Sequence, residues 1–248
     1  MRRRFPMPCK AIKSALAALA ALLAVPAASQ EPAAAPSLGL MGTIPIYWGE
    51  AGGIDELIGG TAEPHWARAE IETSHSLRPL DYLSAEALAP FDKLLLAQPR
   101  ALSGEENVAL DAWVRAGGHL LLFADPMMTG HSRFALGDRR RPMDVTLLSP
   151  ILKHWGLAME FDDEEPIGVR ALGGPGLTLP VNLPGRFAEA GGACELSADR
   201  VLARCALGEG SATILADAAL LDLHEPDPLA GKALQGLLKL AFGETAGR

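Results

Sequence analysis

The chain has 248 residues, of which 49% are hydrophobic and 21% are charged, which is enough apolar material for one large domain or two small ones. Five of its positive charges lie in residues 1–29, and the remaining 17 Lys and Arg residues face 30 Asp and Glu residues, a net charge of −13. A chain this acidic is a poor binder of nucleic acids and of anionic membranes.

Residues 1–29 have the three-part layout of a secretory signal peptide. Lys and Arg residues within positions 2–13 precede the apolar stretch Ala15–Val25, and Ala27–Ser29 provides small residues for cleavage. We therefore expect a periplasmic or secreted protein, with retention of the segment as a membrane anchor as the alternative. No later stretch approaches the roughly 18 apolar residues that a transmembrane helix needs.

The rest of the chain is typical of a spacer followed by one α/β domain. Residues 30–37 are rich in Pro and Ala and predict the spacer, and residues 38–248 are assigned to the domain. Up to residue 92 the pattern predicts a strand at Leu38–Ile46, a short helix at Ala51–Ile58, a helix and loop within Glu63–His75, a strand at Ser76–Leu80 and a short helix capped by Ser84.

Two aromatic residues and a carboxylate follow the first predicted strand. Tyr47, Trp48 and Glu50 lie where that strand ends. In open parallel sheets, ligands bind outside the carboxyl ends of the strands. These three residues are therefore candidates for ligand binding, and the alternative is that the two aromatic side chains only cap the core.

The clearest pattern in the chain is a strand, a capped helix and a second strand. Lys93–Ala97 and His119–Ala124 are apolar runs without polar alternation, as expected of strands buried on both faces. Between them, Ser103 and Glu106 have the spacing of a capping box, and Gly117-Gly118 supplies a left-handed helix end. This order predicts a right-handed crossover between parallel strands.

A loop of 18 residues at positions 127–144 shows no periodicity. Loops of this length inside a compact domain are usually functional or disordered. Arg139, Arg140 and Arg141 within it are candidates for contact with an anion or an acidic partner, or they are solvated surface charges.

The chain after this loop alternates helical and strand patterns. The pattern predicts a helix at Val145–Trp155, a strand at Leu157–Phe161, a β-rich excursion over 166–210, a buried strand at Ser211–Ala216 and a closing helix at Leu229–Phe242.

Cys194 and Cys205 are the two cysteines that would remain after signal cleavage. A turn at Asp199-Arg200 places them directly opposite each other on a hairpin. In an oxidising compartment this arrangement predicts a cross-strand disulfide, and two buried free thiols are the alternative.

Three predicted strands end in the same way, with apolar residues, an alanine and then a polar side chain. Gln98, Asp125 and Asp217 occupy these ends, so parallel strands would gather them at one edge. With Glu50 nearby, the two aspartates could hold a divalent metal or act as acid and base. The alternative is that each aspartate caps the following segment through backbone amides.

The nucleophile motifs of known hydrolases are incomplete. Gly130–Phe134 departs from the G-x-S-x-G elbow at its last position, and Leu196 replaces the second glycine of a G-x-C-x-G elbow at Gly192–Leu196. The chain has no P-loop, dinucleotide-binding glycine motif, H-E-x-x-H or C-x-x-C, and its histidines show no ligand spacing. We therefore assign no catalytic residue, no metal ligand and no cofactor.

Three runs carry a resemblance to a known family: LLLAQPRALSGEENVALDAWVRAGGHLLLFADP, TLLSPILKHWGL and GEGSATILADAALL. Over about residues 92–222 they are similar to the extracytoplasmic domain of gliding-motility-type ABC-transporter auxiliary proteins. The shared features are a strand ending in Pro, a capped helix ending in Gly-Gly, a strand ending in Asp-Pro and a helix ending in Trp-Gly. The resemblance implies a class I glutamine-amidotransferase-like fold without the catalytic cysteine.

These observations predict a three-layer α/β fold with a mostly parallel sheet, amidotransferase- or flavodoxin-like, and a β-rich insertion near the C-terminal third. Our first hypothesis is an exported, non-catalytic binding or scaffolding module, accessory to an envelope ABC-type transport or polysaccharide system. Its partner would be an envelope protein or an anionic or hydroxyl-rich ligand. The competing hypothesis is a metal-dependent hydrolase that uses Glu50, Asp125 and Asp217. We also expect one concave surface lined by Tyr47, Trp48, Gln98, Asp125 and Arg139–Arg141.

Overall fold

The computed structural model describes Met1 and residues 35–59, 63–189, 191–222 and 228–243. The expected signal peptide and most of the expected spacer lie outside these residues. Within the described chain there are eleven strands and seven helices. The strands are β1 (Ser37–Gly42), β2 (Ser76–Pro79), β3 (Lys93–Ala97), β4 (His119–Phe123), β5 (Leu157–Glu160), β6 (Arg170–Gly174), β7 (Leu177–Val181), β8 (Arg186–Glu189), β9 (Cys194–Ser197), β10 (Leu202–Leu207) and β11 (Gly210–Leu215). The helices are α1 (Ile54–Gly59), α2 (Trp66–Glu72), α3 (Ala85–Leu88), α4 (Gly104–Arg115), α5 (Ser149–His154), α6 (Ala219–Asp222) and α7 (Pro228–Phe242).

Leucine-rich strands form the centre of a seven-stranded sheet with the order β2-β1-β3-β4-β11-β10-β9. Strands β2, β1, β3, β4 and β11 are mutually parallel, and β10 runs antiparallel to both of its neighbours. Successive residues Leu94–Leu96 and Leu120–Leu122 are fully buried, so both faces of these strands are covered. The predicted α/β fold with a mostly parallel sheet is confirmed.

The order of the parallel strands creates a switch point between β1 and β3. From β1 the chain continues to β2 on one side, whereas β3 leads to β4 and β11 on the other side. In doubly wound sheets the loops diverge at such a point and leave a crevice outside the carboxyl ends of the strands. This carboxyl edge is therefore the first place to examine for a site.

The central crossover has the predicted geometry. The Ser103 hydroxyl accepts from the Glu106 amide, and the Glu106 carboxylate accepts from the Ser103 amide, which together form a capping box. Gly117 has a φ of 114°, a conformation that favours glycine, and it follows the end of α4. The strand–helix–strand prediction is confirmed.

The predicted β-rich excursion contains additional antiparallel strands. Strands β5 and β8 form one two-stranded sheet, and β6 and β7 form another. Strand β5 was predicted at Leu157–Phe161 and pairs with β8 outside the main sheet. In the β9–β10 hairpin, Ala198, Asp199 and Arg200 have positive φ angles, and Cys194 and Cys205 are opposite each other and joined in a disulfide.

Two predicted elements differ most in length from the observed ones. The first strand ends at Gly42 rather than Ile46, because the Thr43 amide turns to the carbonyls of Ala97 and Gln98. The helix predicted at Val145–Trp155 begins only at Ser149, where Pro150 occupies the first turn. Proline has no N–H and fits this position, where an amide has no intrahelical partner.

Candidate functional site

A small cavity lies at the carboxyl edge of the sheet. It has a volume of about 60 Å³ and is formed by segments that follow β1, β4 and β11, together with the residue that precedes α2. Small-molecule binding sites usually have volumes of about 300 Å³ or more, so this cavity is too small for a ligand of ordinary size. Its wall consists of Ile44, Pro45, Glu50, His65, Met128, Gly130, His131, Arg141, Pro142, Asp144, Leu221 and Asp222.

Three of the predicted site residues do meet at this edge. Gln98, Asp125 and Asp217 follow the adjacent strands β3, β4 and β11, and parallel pairing brings the ends of these strands together. All three side chains are completely buried. They do not line the cavity, so the expectation that Gln98 and Asp125 face an open concave surface is wrong.

Both strand-end aspartates accept hydrogen bonds from backbone amides. Asp125 accepts from the amides of Met127 (2.8 Å) and Ala218 (2.9 Å). Asp217 accepts from the amides of Asn182 (2.9 Å) and Ala219 (2.7 Å). Each carboxylate therefore holds the segment after its own strand and a segment from elsewhere in the chain.

The pKa of each strand-end aspartate is raised. Burial raises the pKa of Asp125 to about 7, the negative charge of Asp222 adds to this effect, and the hydrogen bonds from Met127 and Ala218 oppose it. Burial raises the pKa of Asp217 well above its usual value, and the charge of Asp125 acts in the same direction. Two buried acids without a cation cannot both ionise easily.

The side chain of Gln98 hydrogen bonds to neighbouring segments, so the crevice at the switch point between β1 and β3 is closed. Its φ is 47°, so the chain turns sharply at the end of β3, and its carboxamide bonds to both the amide and the carbonyl of Asp125. The same carboxamide donates to the carbonyl of Met143 at 3.0 Å. Thr43 completes the closure, because its hydroxyl donates to Gln98 and accepts from the Met143 amide.

The 127–144 loop therefore covers the crevice between β1 and β3. Its two ends are joined by hydrogen bonds from the Met128 amide to the Asp144 carbonyl and from the Thr146 amide to the Asp125 carbonyl. Its middle is held to the loop after β1, where Arg133 bonds to the carboxylate and carbonyl of Glu50. Glu50 lies in the cavity wall but does not converge with Asp125 and Asp217, so the three carboxylates of the hydrolase hypothesis do not form one accessible cluster.

The three consecutive arginines have different surroundings. Arg139 is exposed. Arg140 donates to the Gly52 carbonyl at 2.7 Å and pairs with Asp138. Arg141 lines the cavity and donates to the carbonyl of Phe134. Two of the three thus help to fold the 127–144 loop.

The aromatic pair lies on the loop after β1. The rings of Tyr47 and Trp48 meet edge to face, with centroids 4.7 Å apart. Tyr47 packs against the core and under the guanidinium of Arg68, while 56% of Trp48 is exposed. Neither residue lines the cavity, but Trp48 presents an aromatic face to solvent on a loop that does.

Four residues that complete this edge were not among those predicted from the sequence. His65 precedes α2, accepts from the Ala67 amide through Nδ1 and donates from Nε2 to the Leu221 carbonyl. Asp222 accepts from Thr129, which also accepts from Asn182. A polar residue just before α2 is a signal that could have identified His65 as a cap, whereas the other three are brought together only by the tertiary structure.

The described residues contain no group of three or more His, Cys, Asp or Glu side chains arranged to hold a metal ion. Nor does any helix in the described ranges have the length and apolar character needed to cross a membrane.

Solved structures with a similar fold are distant in sequence. The mmIFT52 N-terminal domain superposes with a TM-score of 0.56 at 11% identity, covering 86% of this chain and 99% of that domain. This likeness concerns the fold alone. A catalytic mutant of Gan42B, a GH42 beta-galactosidase from G. stearothermophilus, has a TM-score of 0.49 at 14% identity. The superposition covers 83% of this chain but only 30% of that protein. A ThuA-like protein from Parabacteroides merdae has a TM-score of 0.41 at 9% identity, covering 86% of this chain and 92% of that one.

No curated protein sequence matches the chain. A family match does exist: residues 55–163 match a family of transporter auxiliary proteins described as an ABC-type uncharacterized transport system. The matched residues run from α1 through the central crossover to the residues just after β5, and they include Gln98, Asp125 and the whole 127–144 loop. The match covers 109 of the 248 residues and is a similarity to auxiliary proteins of ABC-type transport over that segment.

Proposed function

We propose that this protein is an exported, non-catalytic binding module that serves as an accessory to an ABC-type transport system of the cell envelope. The observation that carries the proposal is the family match over residues 55–163. That segment contributes most of the carboxyl edge, including the 127–144 loop and the ends of β3 and β4. Export rests on the signal-peptide pattern of residues 1–29.

The chemistry of the edge supports binding rather than catalysis. The sharp turn after β3 carries Gln98, which offers no nucleophile, and its carboxamide is fully used by Asp125 and Met143. Asp125 and Asp217 have no exposed area with which to reach a substrate. A general acid or base must come within hydrogen-bond distance of the group it serves.

The accessible surface at this edge suits a macromolecular partner. The cavity of about 60 Å³ is small, whereas Trp48 and Arg139 lie exposed on the two loops that border it. Tryptophan and arginine are enriched at the energetic centres of protein interfaces. The partner we favour is an envelope protein of the transport system, and an anionic or hydroxyl-rich ligand is the second candidate.

Affinity purification tests the function directly. The full chain, tagged at its C-terminus and produced in its native host, should recover ABC-transporter subunits from detergent-solubilised membranes. Trp48→Ala should reduce this recovery several-fold, because it removes the exposed aromatic contact. Tyr82→Ala is the matched control, since Tyr82 is 41% exposed and belongs to a different loop. Recovery of no transporter subunit above an untagged strain would refute the accessory role.

Export has its own measurement. Mass spectrometry of the purified protein should find a mature N-terminus at Gln30, directly after the small residues of the expected cleavage site. An intact Met1 would instead support retention of the segment as an anchor.

A further inference from the structure

Asp125 and Asp217 lie side by side in the protein interior. Phe123, the last residue of β4, pairs with Leu215, the last residue of β11, in a parallel register, and each aspartate comes two residues after the end of its strand. Neither side chain has any exposed area. Burying one carboxylate away from water is unfavourable unless it is paired with a cation, and burying two together is more so.

Among the described residues, no cation is paired with either aspartate. Neither aspartate forms a salt bridge there, and the four groups that donate hydrogen bonds to their carboxylates are backbone amides. Gln98 faces the pair from β3 and is neutral, and Asp222 of α6 adds a further negative charge. Among the described residues, the other titratable groups that line the cavity are His65, His131, Arg141, Asp144 and Glu50.

We propose that Asp125 and Asp217 together retain one proton at neutral pH, and that this shared proton keeps the carboxyl edge of the sheet closed. With the proton present, a single negative charge is distributed over a pair that receives four amide hydrogen bonds. When the proton leaves, two adjacent anions repel each other in a medium that screens them poorly. They separate only if the segments that donate those amides also move.

The moving segments are those that form the cavity. The amide of Met127 is held by Asp125, and Met128 and Gly130 of the cavity wall follow directly. The amides of Ala218 and Ala219 are held by Asp125 and Asp217, and Leu221 follows in the wall. Loss of the shared proton therefore loosens two sides of the cavity at once. This property of the edge does not depend on the proposed transport role.

Carbon-13 NMR of the side-chain carboxyl groups of the wild-type protein tests the proton directly. At least one aspartate resonance should titrate near or above pH 7, in keeping with the raised pKa of Asp125 and the raised pKa of Asp217, and it should be perturbed in Asp217→Asn. If every aspartate in the wild-type protein titrates below pH 5, the proposal is overturned. This result needs no variant, so it holds even if Asp217→Asn fails to fold.

Hydrogen exchange tests the structural consequence. After correction for intrinsic rates, the amides of Met127 and Ala218 should exchange at least 10-fold faster at pH 8.5 than at pH 6 in the wild-type protein. Asp217→Asn removes one of the two anions and should abolish this increase, whereas the exposed Asp163→Asn control should keep it. An equal increase in Asp217→Asn and the wild-type protein would refute the role of the pair. If Asp217→Asn does not fold, Asp125→Asn with the Ala219 amide as reporter replaces it.

Discussion

Two regions of this protein bury a carboxylate completely and give it opposite ionisation behaviour. Glu106, at the start of α4, accepts from the amides of Leu83 and Ser103. Asp125, at the end of β4, accepts from the amides of Met127 and Ala218. Neither residue has any exposed area, and both accept hydrogen bonds from two backbone amides, but Asp125 lies deeper in the protein interior than Glu106.

The two regions differ in the depth of burial and in the presence of a cation. Burial opposes ionisation of Glu106, but hydrogen bonds from Arg100 (2.7 and 2.9 Å), Ser103 and Leu83 lower its pKa to about 2. Deep burial, with the negative charge of Asp222 added, raises the pKa of Asp125 to about 7, and no arginine bonds to this carboxylate. Two amide hydrogen bonds are therefore not enough to keep this deeply buried carboxylate ionised, whereas the arginine and the amides together outweigh the burial of Glu106.

This contrast separates a region whose carboxylate stays ionised from a region whose charge changes with pH. The network around Glu106 joins α4 to the chain before α3 and remains ionised throughout the physiological range. The pair at the carboxyl edge changes charge within that range.

Glu106→Ala should produce the largest loss of stability. It removes the acceptor for Arg100 and for two backbone amides, and it leaves those amides without their partner. We expect the free energy of unfolding to fall by about 3–4 kcal/mol, measured by urea denaturation at pH 7. The control is Glu105→Ala on the exposed side of the same helical turn, which should cost about 1 kcal/mol or less. Equal losses in the two variants would show that the buried network adds nothing beyond helix charge.

Arg100→Met tests whether the cation decides the direction of the shift. Glu106 keeps its bonds to the amides of Ser103 and Leu83 but loses its positive partner, and so becomes similar to Asp125. We expect a loss of about 2–3 kcal/mol at pH 7, at the lower end for a broken buried pair because the Arg100 side chain is 42% exposed. The loss should shrink at pH 4.5, since Glu106 can then become protonated. A loss that is the same at both pH values would contradict this explanation.

The pH dependence of the wild-type protein should show the contribution of Glu106 in acid. A carboxyl whose pKa is lowered from 4.5 to about 2 on folding stabilises the protein above 4.5 and loses this contribution as the pH falls toward 2. Between pH 5 and pH 3 the loss from this group should be about 2 kcal/mol. The Glu106→Gln variant should not show this loss. The difference in unfolding free energy between the wild-type protein and the variant should therefore narrow between pH 5 and pH 3. A constant difference would mean that Glu106 titrates alike in the folded and unfolded protein.

The region around Glu106 was largely predictable because its signals are local. The spacing of Ser103 and Glu106 predicted the capping box, and the apolar runs of β3 and β4 predicted buried parallel strands. Parallel pairing then required Gln98, Asp125 and Asp217 to meet at one edge. The role of Arg100 was not predicted, because a single arginine before a helix gives no signal of its partner.

The surroundings of Asp125 were not predictable because they depend on the path of the 127–144 loop. Bonds that span large sequence separations hold this loop, such as the one from the Met143 amide to the Thr43 hydroxyl. Such bonds leave no periodic pattern in the sequence. The sequence placed Asp125 at the edge correctly but left open whether it faces solvent or caps the neighbouring backbone, and its hydrogen bonds are those of a cap.

Ser103→Ala should have the smallest effect, and it separates the helix cap from the buried ion pair. The variant removes the hydroxyl that accepts from the Glu106 amide at 3.1 Å, but the Ser103 amide and Arg100 still bond to the Glu106 carboxylate. We therefore expect a loss of about 1 kcal/mol in the free energy of unfolding, the usual cost of losing an N-cap.

Ser84→Ala is the matched control for this cap. Ser84 caps the four-residue α3 and accepts from the Ala87 amide, also at 3.1 Å, but no carboxylate reaches back to it. If the Ser103 cap acts independently of Glu106, the two serine variants should lose similar amounts, and the effects of Ser103→Ala and Glu106→Gln should add in the double variant. A loss for Ser103→Ala that approaches that of Glu106→Ala would instead show that the hydroxyl, the carboxylate and Arg100 act as one unit. In that case the contrast with Asp125 would reflect a whole network rather than a single cation.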